Sequence, residues 1–457
     1  MSWLHDATTK LLADAREAKE LKAFPFMRRF RNVGTRVNIG DSSYINFTSN
    51  DYLGLSQDRR LVSAAVEGVE RYGTGMGSSR LQASADRHGE LEFRLARWLD
   101  FAACAVFPSG YQAIVGLLST YLDDDCCVVI DRLSHACIID GCLMALGQNP
   151  DMEMRTFKHN NAKALARILS RTEKKKKLVV VEGLYSVDGD LAPLPELIEV
   201  CHEHGAPIVV DDAHGLGAIG PTGRGVAELQ GCLGDVDIMF GTFSKSFGGI
   251  GGFILGDRAI IDYLKLRARS FVFSAALPVG QVNAAIAALD IIEADGPKLV
   301  EQLAENGALF REGLLRLGFD LGDSDTHILP IMVREEKKAF EFAAYLYHGA
   351  KVIMMPFVSP GVPPGQERLR CNVTAAHSKA DMGYTLEALA TIGPMLDLLP
   401  SGVSTGASTL QKGLWLAETK LRGVRNAGLP YLRSEIEAAT EKVGAWTRKL
   451  FNGHNNT

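Results

Sequence analysis

Short, unbroken apolar runs alternate with amphipathic stretches through the middle of the chain. From about residue 102, "CAVFPSG", "CCVVIDRLSH", "KLVVVEGLYS", "PIVVDDAHG", "VDIMFGTFSKS" and "GGFILGD" follow one another. Runs of this length without polar alternation suit strands buried on both faces, and the helical stretches between them predict a mostly parallel sheet in an α/β fold. Most of the runs end in polar residues: Ser109, His135, Glu182, Asp211 with Asp212, and Ser244 with Lys245. Ligands of open α/β sheets bind beyond the carboxyl ends of the strands, so the chemistry is expected along this row.

The flanks have a different rhythm. Residues 3–22 place Trp3, Leu4, Leu11, Leu12 and Ala15 among charges, an amphipathic helical pattern. "YINFTSNDYLGL" (44–55) predicts a strand leading into a turn at Asn50–Asp51. Helices are predicted over 60–72 and 88–99, with the glycine loop "GTGMGSSR" (73–80) between them. After the apolar runs, a helix is expected over 278–293, following Pro278. A smaller α+β part follows: helix 297–317, strand 326–333, helix 337–349 and strand 368–377. "PSGVSTGAST" (400–409) has linker composition, and beyond it Leu432, Ile436, Ala439, Val443, Trp446 and Leu450 share one helical face. The expected division is an N-terminal helix and arm (1–58), a large domain carrying the row of strand ends (59–295), a small α+β domain (296–399) and a helical extension (400–457).

Composition narrows the classes. The 457 residues are 46% hydrophobic and 23% charged, ordinary for a soluble globular protein. A net charge of -5 leaves no electrostatic footprint for nucleic acid. The one basic cluster, "EKKKKL" (173–178), reads as the solvated end of a helix before a buried strand. No apolar run is long enough to span a membrane, and the acidic residues near the N-terminus do not suit a secretory signal. The eight cysteines form no CxxC pair, which argues against zinc and a redox dithiol and fits a reduced, cytoplasmic setting.

Glycine abundance raises the question of a phosphate loop. No GxxxxGK[ST] occurs, and "GTGMG" (73–77) follows a predicted helix rather than a strand and lacks the third glycine of a dinucleotide fingerprint. "VVDDAHG" (209–215) could hold a metal, cap the next helix, or serve a pyridine-ring cofactor. Chain order favours the last. A carboxylate ends one strand and Lys245, among small residues in "GTFSKSFGGIGGF", follows the end of the next. Asp211 would keep the ring nitrogen protonated, making the ring an electron sink, and Lys245 would form a Schiff base with the cofactor aldehyde. "PSGYQA" puts Ser109, Gly110 and Tyr111 where a strand gives way to a helix, whose N-terminal N–H groups suit a phosphate. Thr242 offers a hydroxyl to the same group, and His135 in "DRLSHA" is placed to stack on the ring.

The motifs "TSNDYLGL", "PSGYQA", "DRLSHA", "VEGLYSVDGD", "VVDDAHGLG", "GTFSKSFGGIGG" and "RLRCNVTAAH" stand in an order that resembles the α-oxoamine synthases over roughly residues 40–395. These are pyridoxal 5'-phosphate enzymes with the fold of aspartate aminotransferase (fold type I). They join an amino acid to an acyl thioester, carried on coenzyme A or an acyl-carrier protein, with loss of carbon dioxide. The resemblance implies that Lys245 bears the Schiff base, Asp211 meets the pyridine nitrogen, His214 lies near the ring hydroxyl and His135 stacks on the ring. It implies that Ser109, Gly110, Tyr111 and Thr242 cradle the phosphate and ring, and that Glu182 and Ser186 line the pocket. Asn50, Arg370 and Thr374 are implied to hold the amino-acid substrate, and Ser274 to reach the partner's phosphate in a homodimer with shared active sites. The serines flanking Lys245 lean slightly towards serine palmitoyltransferase, while "GSSRL" is closer to the 8-amino-7-oxononanoate synthases. Gln82–Ala83–Ser84 depart from the family, which often has a further glycine there. The alternatives on the same residues are an aminotransferase or aldolase-type lyase of this fold, and a non-catalytic partner subunit.

Overall fold

The computed structural model of the protein describes residues 28–359 and 361–399. The helix expected over 3–22, the linker at 400–409 and the apolar face of 432–450 lie outside the described residues.

Seven strands form the central sheet: β3 (Ala103–Phe107), β4 (Cys126–Asp131), β5 (Glu153–Phe157), β6 (Lys176–Glu182), β7 (Ile208–Asp211), β8 (Ile238–Thr242) and β9 (Gly252–Gly256). Their order is β3-β9-β8-β7-β6-β4-β5. The neighbours from β8 through to β5 pair in parallel, while β9 runs antiparallel to both β8 and β3. The unbroken apolar runs have a direct cause. Cys127, Val129, Val181 and Val210 enter one core, and their neighbours Val128, Val180 and Val209 enter the core on the opposite face. Both sets must be apolar because helices cover both sides.

Strand β5 carries no apolar run, only "EMRTF" with its side chains mostly half-exposed. It is one of the two edge strands, paired on one side only and left half-exposed. The two helices expected around residue 295 are one, Val279–Leu317, 39 residues long with Pro297 inside it. The exposed proline faces solvent, and buried Leu289 and Ile292 before it and Leu303 and Phe310 after it anchor both halves. That packing outweighs the lost hydrogen bond. The helix therefore crosses the position where two domains were expected to meet. A second core, around Phe310, Phe342, Leu369 and Met382, lies under two small sheets. One sheet contains β1 (Arg36–Ile39), β2 (Ser42–Asn46) and β11 (Val352–Ile353); the other contains β10 (Ile328–Met332), β12 (Met355–Phe357) and β13 (Arg368–Asn372).

The basic cluster at 173–178 is structural. Lys176 pairs with Asp123, Lys174 donates to the Asp124 carbonyl at 2.8 Å, and Lys177 donates to the Leu169 carbonyl at 3.1 Å.

Just beyond the carboxyl ends of β4 and β5 lies a charged bridge centred on His159, a residue outside the quoted motifs. His159 Nδ1 is 2.9 Å from Asp131 Oδ1, and its Nε2 is 2.8 Å from Asp190 Oδ2. Burial opposes charge on this ring, but the two carboxylates outweigh it and raise its pKa to about 10. A pKa raised on folding contributes stability that is complete below the unfolded value near 6.5 and fades as pH approaches 10. The stability advantage of the wild type over His159→Gln is therefore expected to shrink across that window. Urea unfolding at both ends of the window checks this, and an advantage that does not change with pH would contradict it.

Candidate active site

The carboxyl ends of the parallel strands and the amino end of antiparallel β9 converge on a cavity of about 390 Å³. That volume falls in the range of small-molecule sites, roughly 300–1,000 Å³. Ser109, Gly110, Tyr111, His135, Glu182, Asp211, His214, Thr242 and Lys245 all line it. Residues distant in sequence and predicted separately are thus brought to one place.

Asp211 is the last residue of β7 and is buried. Burial pushes its carboxyl up to about 6, against the pull of Lys245, and its Oδ1 accepts the Ala213 N–H at 3.1 Å. Asp212 has a different task. It does not line the cavity; its Oδ2 accepts the Val226 N–H at 2.8 Å and so caps the helix Val226–Leu229. The helix-cap option for "VVDDAHG" is taken by Asp212.

Lys245 follows β8 and is half-buried. Burial lowers its pKa, favouring the free amine, while Asp211 and Glu182 pull the other way. Burial raises Glu182 well above an ordinary carboxyl, and the charge on Asp211 adds to this. Glu182 Oε1 accepts the His135 backbone N–H at 2.7 Å. His135 caps the helix Ala136–Gln148: its Nδ1 accepts the Cys137 N–H at 3.2 Å and lies 2.8 Å from Cys137 Sγ. An accepting Nδ1 leaves the proton of the neutral ring on Nε2. Burial, then the charge of Lys245, keep this ring below the usual histidine pKa. His214 is lowered further, by burial and then by Lys245 and Arg370, and its Nδ1 lies 2.6 Å from Tyr52 Oη.

One end of the cavity is built for an anion. Ser109 caps the helix Gly110–Tyr121, its Oγ accepting the Gln112 N–H at 3.2 Å. The first N–H groups of a helix have no intrahelical partner and lie at the positive end of its dipole. Backbones crowd together here: a Cβ on Gly252 would come within 2.5 Å of Gly110 Cα, and one on Gly110 within 3.1 Å of Thr242 Oγ1. Only glycines permit that approach. Thr242 Oγ1 donates to the Gly251 carbonyl at 2.8 Å and lies 2.9 Å from Ser244 Oγ. Tyr111 Oη donates to Asp140 at 2.8 Å. A phosphate-bearing pyridine aldehyde fits this lining: helix N-terminal amide N–H groups at one end, the buried acid Asp211, and a primary amine, Lys245, whose pKa burial lowers.

Beside the cavity lies a separate polar cluster around Arg370. Arg370 donates through Nη1 to the Ser186 carbonyl at 2.9 Å and through Nη2 to Asn50 Oδ1 at 3.2 Å, and its guanidinium lies 4.8 Å from the centre of the Phe357 ring. These three polar residues do not line the cavity itself, yet the charge of Arg370 contributes to lowering Lys245, His214 and His135. Thr374 is not brought to the site. Its hydroxyl lies 3.0 Å from His377 Nδ1 and the residue is 1% exposed. It sits two residues beyond β13, in a turn closed by the His377 N–H donating to the Thr374 carbonyl. Ser274 meets Gln112 Nε2 at 3.1 Å, near the N-terminus of the anion-facing helix. Sequence reasoning missed Cys137, Ile250 and Gly251 in the lining, and Tyr52 and Asp140 behind it. Tyr52 stands in "TSNDYLGL" and Asp140 in no motif, and neither contact is local: the partners lie 162 and 29 residues away.

Residues 42–389 match the model of the class I and II aminotransferase family. The 8-amino-7-oxononanoate synthase of Geobacter metallireducens is 41% identical, over 83% of this chain and 97% of its own. That of Geobacter sulfurreducens is 39% identical, over 84% and 99%. Among solved structures, serine palmitoyltransferase of S. paucimobilis with bound PLP superposes with a TM-score of 0.81 at 31% identity, over 87% of this chain and 100% of that one. The slight lean towards serine palmitoyltransferase taken from the serines beside Lys245 is not favoured, because the synthases of 8-amino-7-oxononanoate are the nearer in sequence of the two. The chain belongs to the α-oxoamine synthases, pyridoxal-phosphate acyltransferases of the class I and II aminotransferase family that act on an amino acid and an acyl thioester.

Proposed function

We propose that the protein condenses L-alanine with a seven-carbon dicarboxylic acyl thioester to give 8-amino-7-oxononanoate, carbon dioxide and a free thiol. The single observation that supports this choice is the name and 41% identity of the Geobacter relative. Taken apart at the bond that the reaction class forms, 8-amino-7-oxononanoate divides in one way. Its amino-bearing C8 and its methyl C9 are alanine without its carboxyl, and C1 to C7 are the acyl group. Serine with a long-chain acyl thioester is the second reading, and the fold match to serine palmitoyltransferase is the observation behind it.

When bound, pyridoxal phosphate supplies an electron sink for the negative charge that develops at the amino-acid Cα. The roles of the chain's own residues follow from their chemistry. Lys245 holds the cofactor aldehyde and, once displaced by substrate, takes and returns the Cα proton. Asp211 keeps a proton on the pyridine nitrogen. His135, with its proton on Nε2, would pack against the ring, and His214 would lie near the ring oxygen. Ser109, Gly110, Tyr111 and Thr242 hold the phosphate, and Glu182 fixes the His135 backbone. Arg370, aimed by Asn50 and the Ser186 carbonyl, holds the substrate carboxylate as a planar fork. Two subunits complete the site, with Ser274 facing the partner's phosphate. Tyr111 and Ile250 at the cavity rim and Phe273 beside Ser274 are 51%, 51% and 75% exposed, apolar surface that suits burial in a dimer.

Incubation with alanine, glycine or serine and each thioester, with carbon dioxide and product mass measured, tests the reading. Alanine is expected to give one carbon dioxide per product of the nine-carbon amino ketone; consumption of amino acid without carbon dioxide refutes it. Arg370→Lys, which keeps the charge and loses the fork, is expected to raise the amino-acid KM about 10- to 100-fold, the worth of one charged hydrogen bond. An unchanged KM would remove Arg370 from carboxylate binding.

A further inference from the structure

His159 is a half-buried histidine, held between two carboxylates, that the roles above leave unused. It joins three loops at the edge of the active site. On one side, Asp131 Oδ1 accepts from His159 and from the Leu133 N–H at 2.8 Å, and Asp131 Oδ2 accepts the Asn160 N–H at 2.9 Å. On the other side, Asp190 Oδ2 accepts from His159 and from Asn160 Nδ2 at 2.8 Å. Asp190 also closes the turn 185–190: its carbonyl accepts the Tyr185 N–H at 3.0 Å, and the Gly189 N–H donates to the Tyr185 carbonyl at 2.9 Å. The second residue of that turn is Ser186, whose carbonyl takes the 2.9 Å hydrogen bond from Arg370. The Tyr185 ring meets the His159 ring edge-on at 4.4 Å, so the same residue is held by packing as well.

We infer that His159 is a positioning residue for substrate, acting through Asp190 and the turn 185–190 on the Ser186 carbonyl that aims Arg370. The inference rests on the proposed role of Arg370 in binding the amino-acid carboxylate. Arg370 is directed on one side by the Asn50 amide oxygen and on the other by a carbonyl in a short loop, and a loop carbonyl is only as well placed as its turn. Asp188 pairs with Arg368 and the Gly189 carbonyl accepts from Thr326 at 2.7 Å, while the end of the turn nearest β4 is held through Asp190, whose side chain is fixed by His159, a cation lodged between two carboxylates, and by Asn160. Without the cation, Asp190 faces Asp131 across the gap and the two repel, which moves the turn away from β4. The guanidinium then loses the partner that holds one arm of its fork.

The test compares holoenzyme variants by spectral titration with the amino acid to which the wild type responds, alongside melting temperature and the visible absorbance of the bound cofactor. His159→Gln can donate to only one of the two carboxylates. Asp190→Ala keeps the His159–Asp131 bond and cuts only the tie to the turn. Both are expected to weaken half-saturation by the amino acid about tenfold or more, the scale of a misaimed charged hydrogen bond, with the cofactor absorbance unchanged. Asp190→Ala decides the question should His159→Gln not fold. If either folded variant lowers the melting temperature and leaves half-saturation at the wild-type value, His159 is purely structural and the inference is overturned. Arg370→Lys is titrated in parallel. If it weakens half-saturation and the other two do not, the clamp alone fails; if it too leaves half-saturation unchanged, the carboxylate role of Arg370 fails and the inference falls with it.

Discussion

Lys245→Ala is expected to abolish covalent retention of the cofactor and to lower turnover by at least about 10²- to 10⁴-fold, the range for loss of a positioned base alone. Loss of the covalent attachment adds to that. The expectation rests on where this amine sits. It follows β8 at the carboxyl edge of the sheet, half-buried, with its pKa lowered by burial and moderated by Asp211 and Glu182. A lysine in water would be almost wholly protonated and could neither attack an aldehyde nor accept a Cα proton at neutral pH. Borohydride treatment followed by peptide mapping is expected to fix the cofactor to Lys245 in the wild type and to nothing in the variant. Label on another lysine, or wild-type turnover by the variant, would remove Lys245 from the reaction.

The cavity residues were legible in the sequence for a physical reason. A strand buried on both faces must be apolar along its length, so the first polar residue after the run marks the strand end, and strand ends are where ligands bind. Ser109, His135, Glu182, Asp211 and Lys245 were readable from the polar residues that close the runs, Thr242 from its place three residues before Lys245, and all line the cavity. Thr374 was placed with them because of its motif, but it lies past the end of β13, where the turn to His377 points its hydroxyl inward. What could not be read was whatever depends on two distant segments meeting. Tyr52 on His214, the His159 bridge and the Ser186 carbonyl under Arg370 each join residues from separate loops, and no spacing along the chain encodes them. Strand β5 and the continuous helix 279–317 escaped for the opposite reason: their local signals pointed elsewhere, and tertiary pairing and packing prevailed.

Asp211 and Asp212 are adjacent acids, and exchanging their amide or alanine variants is expected to separate chemistry from folding. Consecutive residues at a strand end face opposite ways, so only one of the pair can reach the cofactor. Asp211 lines the cavity; Asp212 is fully buried and caps Val226. Gly183, Gly215 and Gly225 surround it so closely that a Cβ on any of them would overlap its carboxylate. In the role proposed for Asp211, a carboxylate keeps a proton on the pyridine nitrogen, which the amide of Asp211→Asn cannot do. Losing one member of a buried ion pair costs about 3–5 kcal/mol, which is about 10²- to 10⁴-fold in turnover. The same change is expected to leave the stability of the cofactor-free protein unchanged or higher. Burial raises the Asp211 pKa to about 6 from 3.8, so its ionisation in the fold is unfavourable. The stability it contributes is lost as pH rises through that interval, and an amide has no charge to desolvate. Asp212→Ala is expected to show the reverse pattern. It removes the cap and opens a void among the three glycines, costing about 1–2 kcal/mol from the cap alone, while turnover per folded molecule changes little. Urea unfolding and steady-state kinetics on both variants decide the matter. A loss of turnover in Asp212→Ala comparable to that in Asp211→Asn, without loss of stability, would mean that the two acids share the chemistry and that the division of labour between them is wrong.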